Sequence, residues 1–195
     1  MKKTVLSLFI ILFFVSCCAC SDKTETPGNE NKNENNESVS VSAEITETQP
    51  AYTEPTIYTI LSNAAPIPGE PVTMRVYLCN VENLSSLDLT VTYDPTVLQI
   101  NHIGSSTIPG FVEQMNNRNG KISYAGFVLT AANITNECLF ELEIIAQNDS
   151  VGVHTIDIAA KSLFTTDEQG EITNDMTAQL NIVDPILNVS QGVWE

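Results

Sequence analysis

Two histidines, five cysteines and one acid-rich loop are the residues of this chain that could carry chemistry. His102 and His154 lie about fifty residues apart, and neither has a nucleophile or a cluster of metal ligands near it in sequence, which is typical of structural histidines. The loop 167–171, with Asn174 and Asp175 close by, is rich in oxygen ligands but lacks the ligand spacing of an EF-hand. We therefore predict no catalytic site, no metal site and no cofactor.

The pattern of the first twenty residues predicts an export signal. Lys2 and Lys3 precede an apolar run over 5–15, which is too short to span a bilayer and is typical of a secretory signal peptide. Phe14-Val15-Ser16-Cys17 resembles the lipobox of bacterial lipoproteins, with Cys18 and Cys20 as alternative sites. The resemblance implies cleavage, lipidation of Cys17 and an extracellular protein anchored to the bacterial membrane, whereas a plain cleaved signal is the alternative.

Composition divides the rest of the chain. Residues 21–53 are dominated by Asn, Glu, Thr and Ser, so they predict a disordered linker. Residues 54–185 are long enough for a single domain with its own core, and 186–195 are predicted to be a tail. The formal net charge is −16, and four basic residues lie beyond residue 55: Arg75, Arg118, Lys121 and Lys161. This balance excludes nucleic acid as the expected partner.

The domain is predicted to be all-β. Turn signals recur at short intervals and no segment has a sustained helical period, which favours a sandwich or barrel. We predict nine strands, at 57–62, 70–80, 87–93, 97–103, 111–115, 121–128, 137–147, 153–159 and 176–183. Residues 158–164 could also form a helical turn.

Cysteine pairing depends on which face of a strand each residue occupies. Alternation in 72–79 points Cys79 outward, whereas alternation in 138–144 points Cys138 inward. A disulfide needs both Cβ atoms on one face, so a bridge would require a bulge in one strand. The sequence leaves the pairing open.

Residues 86–93 form a strand with one dry and one wet face. Leu87, Leu89, Val91 and Tyr93 alternate with polar residues, and Asp94-Pro95 then ends the strand in a turn. The wet face is predicted to carry Ser86, Asp88, Thr90 and Thr92.

Three segments together resemble a cohesin domain over about residues 55–184. They are Pro68-Gly69-Glu70-Pro71-Val72, then Leu87-Asp88-Leu89 with Tyr93-Asp94-Pro95 and Val97-Leu98, and Asn119-Gly120-Lys121-Ile122-Ser123. The resemblance implies a jelly-roll β-sandwich, a fold shared with carbohydrate-binding modules.

The resemblance also implies protein recognition. Cohesins bind dockerins, small helical modules that carry their own calcium, on one sheet face. Asp88 falls on the family's contact aspartate and Ser86 on the polar position before it, and Thr90 continues the strip. The segment after Val128 departs from the family because 130–136 is compact and lacks the matching acidic residue. We therefore expect a non-catalytic, dockerin-binding surface module.

A carbohydrate-binding or adhesin-like module is the alternative, with polysaccharide as the ligand. Stacking on sugars needs exposed rings, and Tyr52, Tyr58 and Tyr77 are the rings most plausibly exposed.

Overall fold

The structure, a computed structural model, describes residues 50–167 and 169–191. The predicted signal peptide, Cys17 and most of the predicted linker lie outside these residues. Tyr52, which we predicted to belong to the linker, packs on the domain. The centroid of its ring lies 5.2 Å from that of Tyr58. Within the described part, no helix is long and apolar enough to cross a membrane.

The described residues form ten strands and one short 3-10 turn, and the all-β prediction is confirmed. The strands are β1 (Thr56–Leu61), β2 (Pro71–Thr92), β3 (Leu98–Gly104), β4 (Phe111–Arg118), β5 (Lys121–Ala146), β6 (Gly152–Thr155), β7 (Asp157–Thr166), β8 (Ile172–Asp175), β9 (Asn181–Ile182) and β10 (Ile186–Val189). The 3-10 turn spans Thr177–Gln179.

Two long strands, β2 and β5, run through both layers of a sandwich. In the back layer, β3, the second part of β5, the first part of β2, β1 and β9 lie side by side. In the front layer, the order is β4, the first part of β5, the second part of β2, β7 and β8. A separate two-stranded sheet pairs β10 with β6.

The core lies between the two layers. Leu87, Leu89 and Val91 of the front layer are buried, as the alternation predicted, and Val72, Met74 and Val76 of the back layer contribute to the same cluster. Tyr124 and Phe140 join the layers with ring centroids 4.5 Å apart. Tyr93 packs partly against this core and donates its hydroxyl to Oδ1 of Asn117 at 2.9 Å.

The strand boundaries differ from the prediction where β2 and β5 change layers. We predicted separate strands at 70–80 and 87–93, but β2 is continuous, with register shifts against β5. Asn80 and Asn83 adopt φ of 56° and 53°, a conformation that asparagine tolerates better than most residues, and the chain bends there without ending the ladder. The segment 130–136, which we interpreted as a compact segment between strands, also lies inside a continuous strand, β5.

The last third of the domain differs most. The predicted strand 153–159 divides between β6 and β7, and 158–164 is strand, not a helical turn. The predicted strand 176–183 is mainly the 3-10 turn with the short β9. Strand β10 lies in the predicted tail and pairs with β6, so the packed part of the chain extends beyond residue 185.

The turn between β4 and β5 is the hairpin that the sequence indicated. Asn119 and Gly120 both have positive φ, at 50° and 77°, as expected for the favoured two-residue hairpin turn. The amide of Tyr93 donates to the carbonyl of Gly120 at 2.9 Å, which ties the end of β2 to this turn.

Candidate functional site

The outer side of the front layer is the candidate site, and we call it the front face. Strand alternation buries one set of side chains in the core and points the other set outward. The front face consists of Val112, Gln114, Asn116 and Arg118 of β4; Lys121, Ser123, Ala125, Phe127 and Leu129 of β5; Ser86, Asp88, Thr90 and Thr92 of β2; and Asp157, Ala159, Ser162 and Phe164 of β7.

Cross-strand pairing arranges these residues in rows, and the rows change in character along the face. At the end next to the β4–β5 turn, Arg118 pairs with Lys121, which pairs with Thr92, opposite Asp157. At the other end, Val112 pairs with Phe127, which pairs with Ser86, opposite Phe164. The face is therefore charged at one end and apolar at the other.

Asp88 lies in the row between these ends. It pairs with Ala125 on β5 and with Ser162 on β7, so small side chains flank its carboxylate on both sides. Asp88 is half-buried, and within the described part of the chain no other residue donates a hydrogen bond to it. A half-buried carboxylate in the middle of a sheet face is a strong acceptor available to a partner.

Asp94, two residues after the end of β2, is a carboxylate with a purely local structural role. Its Oδ1 accepts from the amide of Thr96 at 2.8 Å and from the hydroxyl of Thr96 at 2.6 Å. These bonds lower the pKa of Asp94. The sequence therefore predicted the role of Asp94 in the turn correctly.

The other two residues that we predicted to contact a partner are less accessible than expected. Ser86 is half-buried between Phe127 and Phe164. Thr90 is only 6% exposed, and its Oγ1 is buried without a hydrogen-bond partner among the described residues. The prediction that Thr90 faces solvent is wrong, although its neighbours Asp88 and Thr92 on the same side of β2 are half-buried and exposed.

A shallow depression lies beside Asp88. It is lined by Ser86, Asp88, Val112, Glu113, Gln114, Ala125, Gly126 and Phe127. Val112 and Phe127 are 47% and 46% exposed and form its apolar side. Beneath them, Gly126 gives room to Phe111, since a Cβ on Gly126 would lie 2.2 Å from that ring.

Sequence reasoning missed the contribution of β7. Ser162 pairs with Asp88, whereas the next ladder partner of β2, Leu89, pairs with Ala160, so Lys161 is the extra residue of a bulge. Ala160 packs against the core and Leu163 is buried in it. Lys161 and Ser162, which lie between them, are therefore both placed on the outer side, and Lys161 is exposed there. No signal in the local sequence predicts this bulge.

The back layer buries a tyrosine cluster where the sequence suggested exposed rings. Tyr58 is buried and stacks on Tyr77 with centroids 5.1 Å apart, and its hydroxyl donates to Oδ1 of Asn136 at 2.7 Å. Burial is the largest cause that raises the pKa of Tyr58. Tyr58 thus belongs to the core, and Tyr52, Tyr58 and Tyr77 do not form an open platform on which a sugar could stack.

Both domain cysteines are free, buried thiols. Tyr77 pairs with Cys138 and Val76 with Phe140, so Leu139 is the extra residue of a bulge. This bulge moves Cys138 to the outer side of the back layer, together with Cys79, which corrects the predicted inward position. Burial raises the pKa of Cys79, and burial with the nearby Glu141 carboxylate raises that of Cys138 to about 11.

The remaining candidates for chemistry have local partners. Nε2 of His102 lies 2.8 Å from the carbonyl of Gly104, and Nε2 of His154 lies 2.5 Å from that of Ser150. Oδ1 of Asp167 accepts from the amides of Gln169 and Glu171, both at 2.9 Å, as in an ordinary turn. Among the described residues, no three His, Cys, Asp or Glu side chains are grouped to hold a metal.

Comparison with solved structures finds the same fold. The seventh ScaB type I cohesin from Pseudobacteroides cellulosolvens is similar at 13% identity, with a TM-score of 0.58 over 71% of this chain and 94% of that one. A type II cohesin in a cohesin–X–dockerin complex from Acetivibrio cellulolyticus matches at 15% identity and a TM-score of 0.53, over 70% and 99%. A non-cellulosomal cohesin from the archaeon Archaeoglobus fulgidus matches at 12% and 0.51, over 69% and 91%.

Comparison at the level of sequence gives a family. No curated protein sequence matches the chain. The family model of the cohesin domain matches residues 57–182, which is more than half of the chain and nearly the whole sandwich. The chain therefore belongs to the cohesin domain family.

Proposed function

We propose that this chain is a non-catalytic binding module that docks a dockerin-type protein through its front face. The observation that carries the proposal is the half-buried Asp88 carboxylate, which lies in the middle of an otherwise small-residue region and has no hydrogen-bond donor within the described part of the chain. The partner of the similar type II cohesin is an X–dockerin module. A dockerin-type partner would bring its own calcium.

The shape of the front face suits a partner that lies flat on it. Ser123, Ala125, Ala159 and Ser162 surround the row of Asp88 with short side chains. Val112 and Phe127 add exposed apolar area next to the carboxylate. A polar anchor beside aromatic area is typical of the energetic centre of a protein interface.

The domain is displayed outside the cell on the predicted linker 21–53, through lipidation of Cys17. This part of the proposal is supported by the sequence of the first twenty residues, by the change of composition after them and by the family membership of the folded domain.

Binding of a dockerin panel tests the docking function. Calcium-loaded dockerin modules encoded in the same genome are titrated calorimetrically against the chain. At least one is expected to bind, and EDTA is expected to abolish the binding. Asp88→Ala should weaken it about tenfold to a hundredfold, the loss of a hydrogen bond to a charged group.

Asp149→Ala is the matched control, because Asp149 is an exposed carboxylate in the turn after β5, away from the front face. It should leave the affinity unchanged. Asp88→Asn keeps the size and one acceptor oxygen of the side chain but removes its charge, so it separates the contribution of the charge to the affinity from that of the shape. Failure of every dockerin to bind, or equal binding by the Asp88→Ala and unmodified chains, would overturn the proposal.

A further inference from the structure

We infer that the partner presents carboxylates to the β4–β5 turn end of the front face and apolar side chains to its opposite end. This inference rests on the proposed function and adds the partner's chemistry and orientation.

The charge of the domain is distributed very unevenly. Residues 50–191 contain sixteen Asp and Glu but only four Lys and Arg. Arg75 lies in the back layer, where its Nε donates to Oε1 of Glu141 at 2.8 Å. The other three, Arg118, Lys121 and Lys161, are exposed residues of the front layer.

The front layer also carries few acids on its outer side. Asp88 and Asp157 belong to the front face, and Asp175 of β8 pairs with Phe164 at its edge. The outer side of this layer thus has three cations and three carboxylates. The rest of residues 50–191 has thirteen carboxylates and one cation. An acidic partner is repelled by the remainder of the domain and meets the least negative surface here.

Two of these three cations lie together at one end of the front layer. Arg118 and Lys121 flank the Asn119-Gly120 turn as a cross-strand pair, so their charges lie together at one end. Their row contains a single carboxylate, Asp157, two strands away from Lys121. Asp94 also lies at this end, since its neighbours Tyr93 and Pro95 lie against Gly120, but its Oδ1 already accepts two hydrogen bonds from Thr96. A partner carboxylate at this end therefore meets two neighbouring cations.

The opposite end offers apolar area in place of charge. Val112, Phe127 and Leu129 are exposed there, Leu129 to 84%, and Ile172 of β8 is exposed at the far edge. Exposed apolar side chains grouped on one surface are typical of a protein interface. Because the two ends differ, only one orientation of a partner with an acidic end and an apolar end satisfies both.

The test measures association rates with the dockerin module that binds in the panel. Arg118→Gln with Lys121→Gln removes two positive charges from the turn end. The association rate constant should fall about three- to tenfold at low ionic strength, because steering of an acidic partner is lost. The difference should shrink below about twofold at half-molar salt, where the Debye length is only a few ångströms.

A control variant changes the net charge by the same amount elsewhere. Gln99→Glu with Asn148→Asp adds two negative charges at exposed positions of β3 and of the turn after β5. This variant should keep the association rate within about twofold, since its added charges lie farther from a partner docked on the front face and the Coulomb interaction weakens with distance.

The apolar end is tested by the dissociation rate. Phe127→Ser should raise this rate independently of salt, whereas Ile103→Ser, at a residue of β3 that is 49% exposed, should not. A dockerin that binds as well and as fast to the Arg118→Gln, Lys121→Gln chain would overturn the inference and leave the docking function intact. Absence of binding to the unmodified chain would overturn both.

Discussion

Asp88 and Thr90 occupy the same side of the same strand but have opposite environments. Asp88 is half-buried between Ala125 and Ser162, whereas Thr90 is covered and its hydroxyl has no partner among the described residues. Alternation assigns both to the wet face. Local sequence could therefore identify the face, whereas the exposure of each side chain on it depends on packing between residues far apart in sequence.

Thr90→Val should stabilise the domain. Valine has the shape of threonine but no hydroxyl, and a buried hydroxyl without a hydrogen bond costs about 1–3 kcal/mol. We expect the free energy of unfolding in urea to rise by about 1 kcal/mol. Thr92→Val is the control, since Thr92 is exposed on the same strand and should change the stability by less than about 0.5 kcal/mol. A loss of stability in Thr90→Val would show that the hydroxyl is hydrogen-bonded.

At the scale of elements, short-range sequence patterns predicted secondary structure best for strands that pack one face on the core. The alternation of 86–93 and the Asn-Gly turn are both present in the structure. The predicted strand 176–183 was wrong, because Thr177–Gln179 form a 3-10 turn and Met176, Leu180 and Ile182 pack against the core without a continuous ladder. Bulges at Leu139 and Lys161 were also missed, since a bulge depends on the partner strand and not on the residue itself.

The β4–β5 hairpin depends on Gly120 for two reasons. Its φ of 77° disfavours any side chain, and a Cβ would lie 2.5 Å from the carbonyl oxygen of Tyr93 and 2.7 Å from Cδ of Pro95. Gly120→Ala should therefore lower the free energy of unfolding by at least about 2 kcal/mol, the sum of backbone strain and a clash.

Gly110→Ala is the control for backbone strain alone. Gly110 has a φ of 71°, but a Cβ there would meet nothing within 4 Å. Its loss should be near 1 kcal/mol, the cost of the left-handed conformation for alanine. Equal losses for the two variants, measured by urea unfolding, would exclude the clash with Tyr93 and Pro95.

At the scale of the whole molecule, the composition of the first fifty residues and that of the domain point to one arrangement. The sequence predicts a signal with a lipobox-like end, followed by a polar, acidic segment, ahead of the cohesin domain. Like charges along a polar segment repel one another, which is the reason for proposing this segment as a spacer.

Detergent partition of the full-length chain tests the anchor. After expression in a bacterium that processes lipoproteins, the chain should enter the detergent phase, because more than one acyl chain gives stable membrane binding. Cys17→Ala should move it to the aqueous phase, whereas Cys20→Ala should not. A Cys17→Ala chain that stays in the detergent phase would place the lipid elsewhere.

The sequence by itself determined the all-β class, the core residues of 87–91, the Asp94 and Asn119-Gly120 turns and the family resemblance. These properties depend on strand periodicity and on backbone conformations that a few residue types accept. The tertiary structure alone decided the continuity of β2 and β5, the burial of Thr90, the free thiols on one side of the back layer and the bulge at Lys161 of β7. Each depends on which strand lies opposite and with what register, and that choice is made by contacts between residues far apart in sequence.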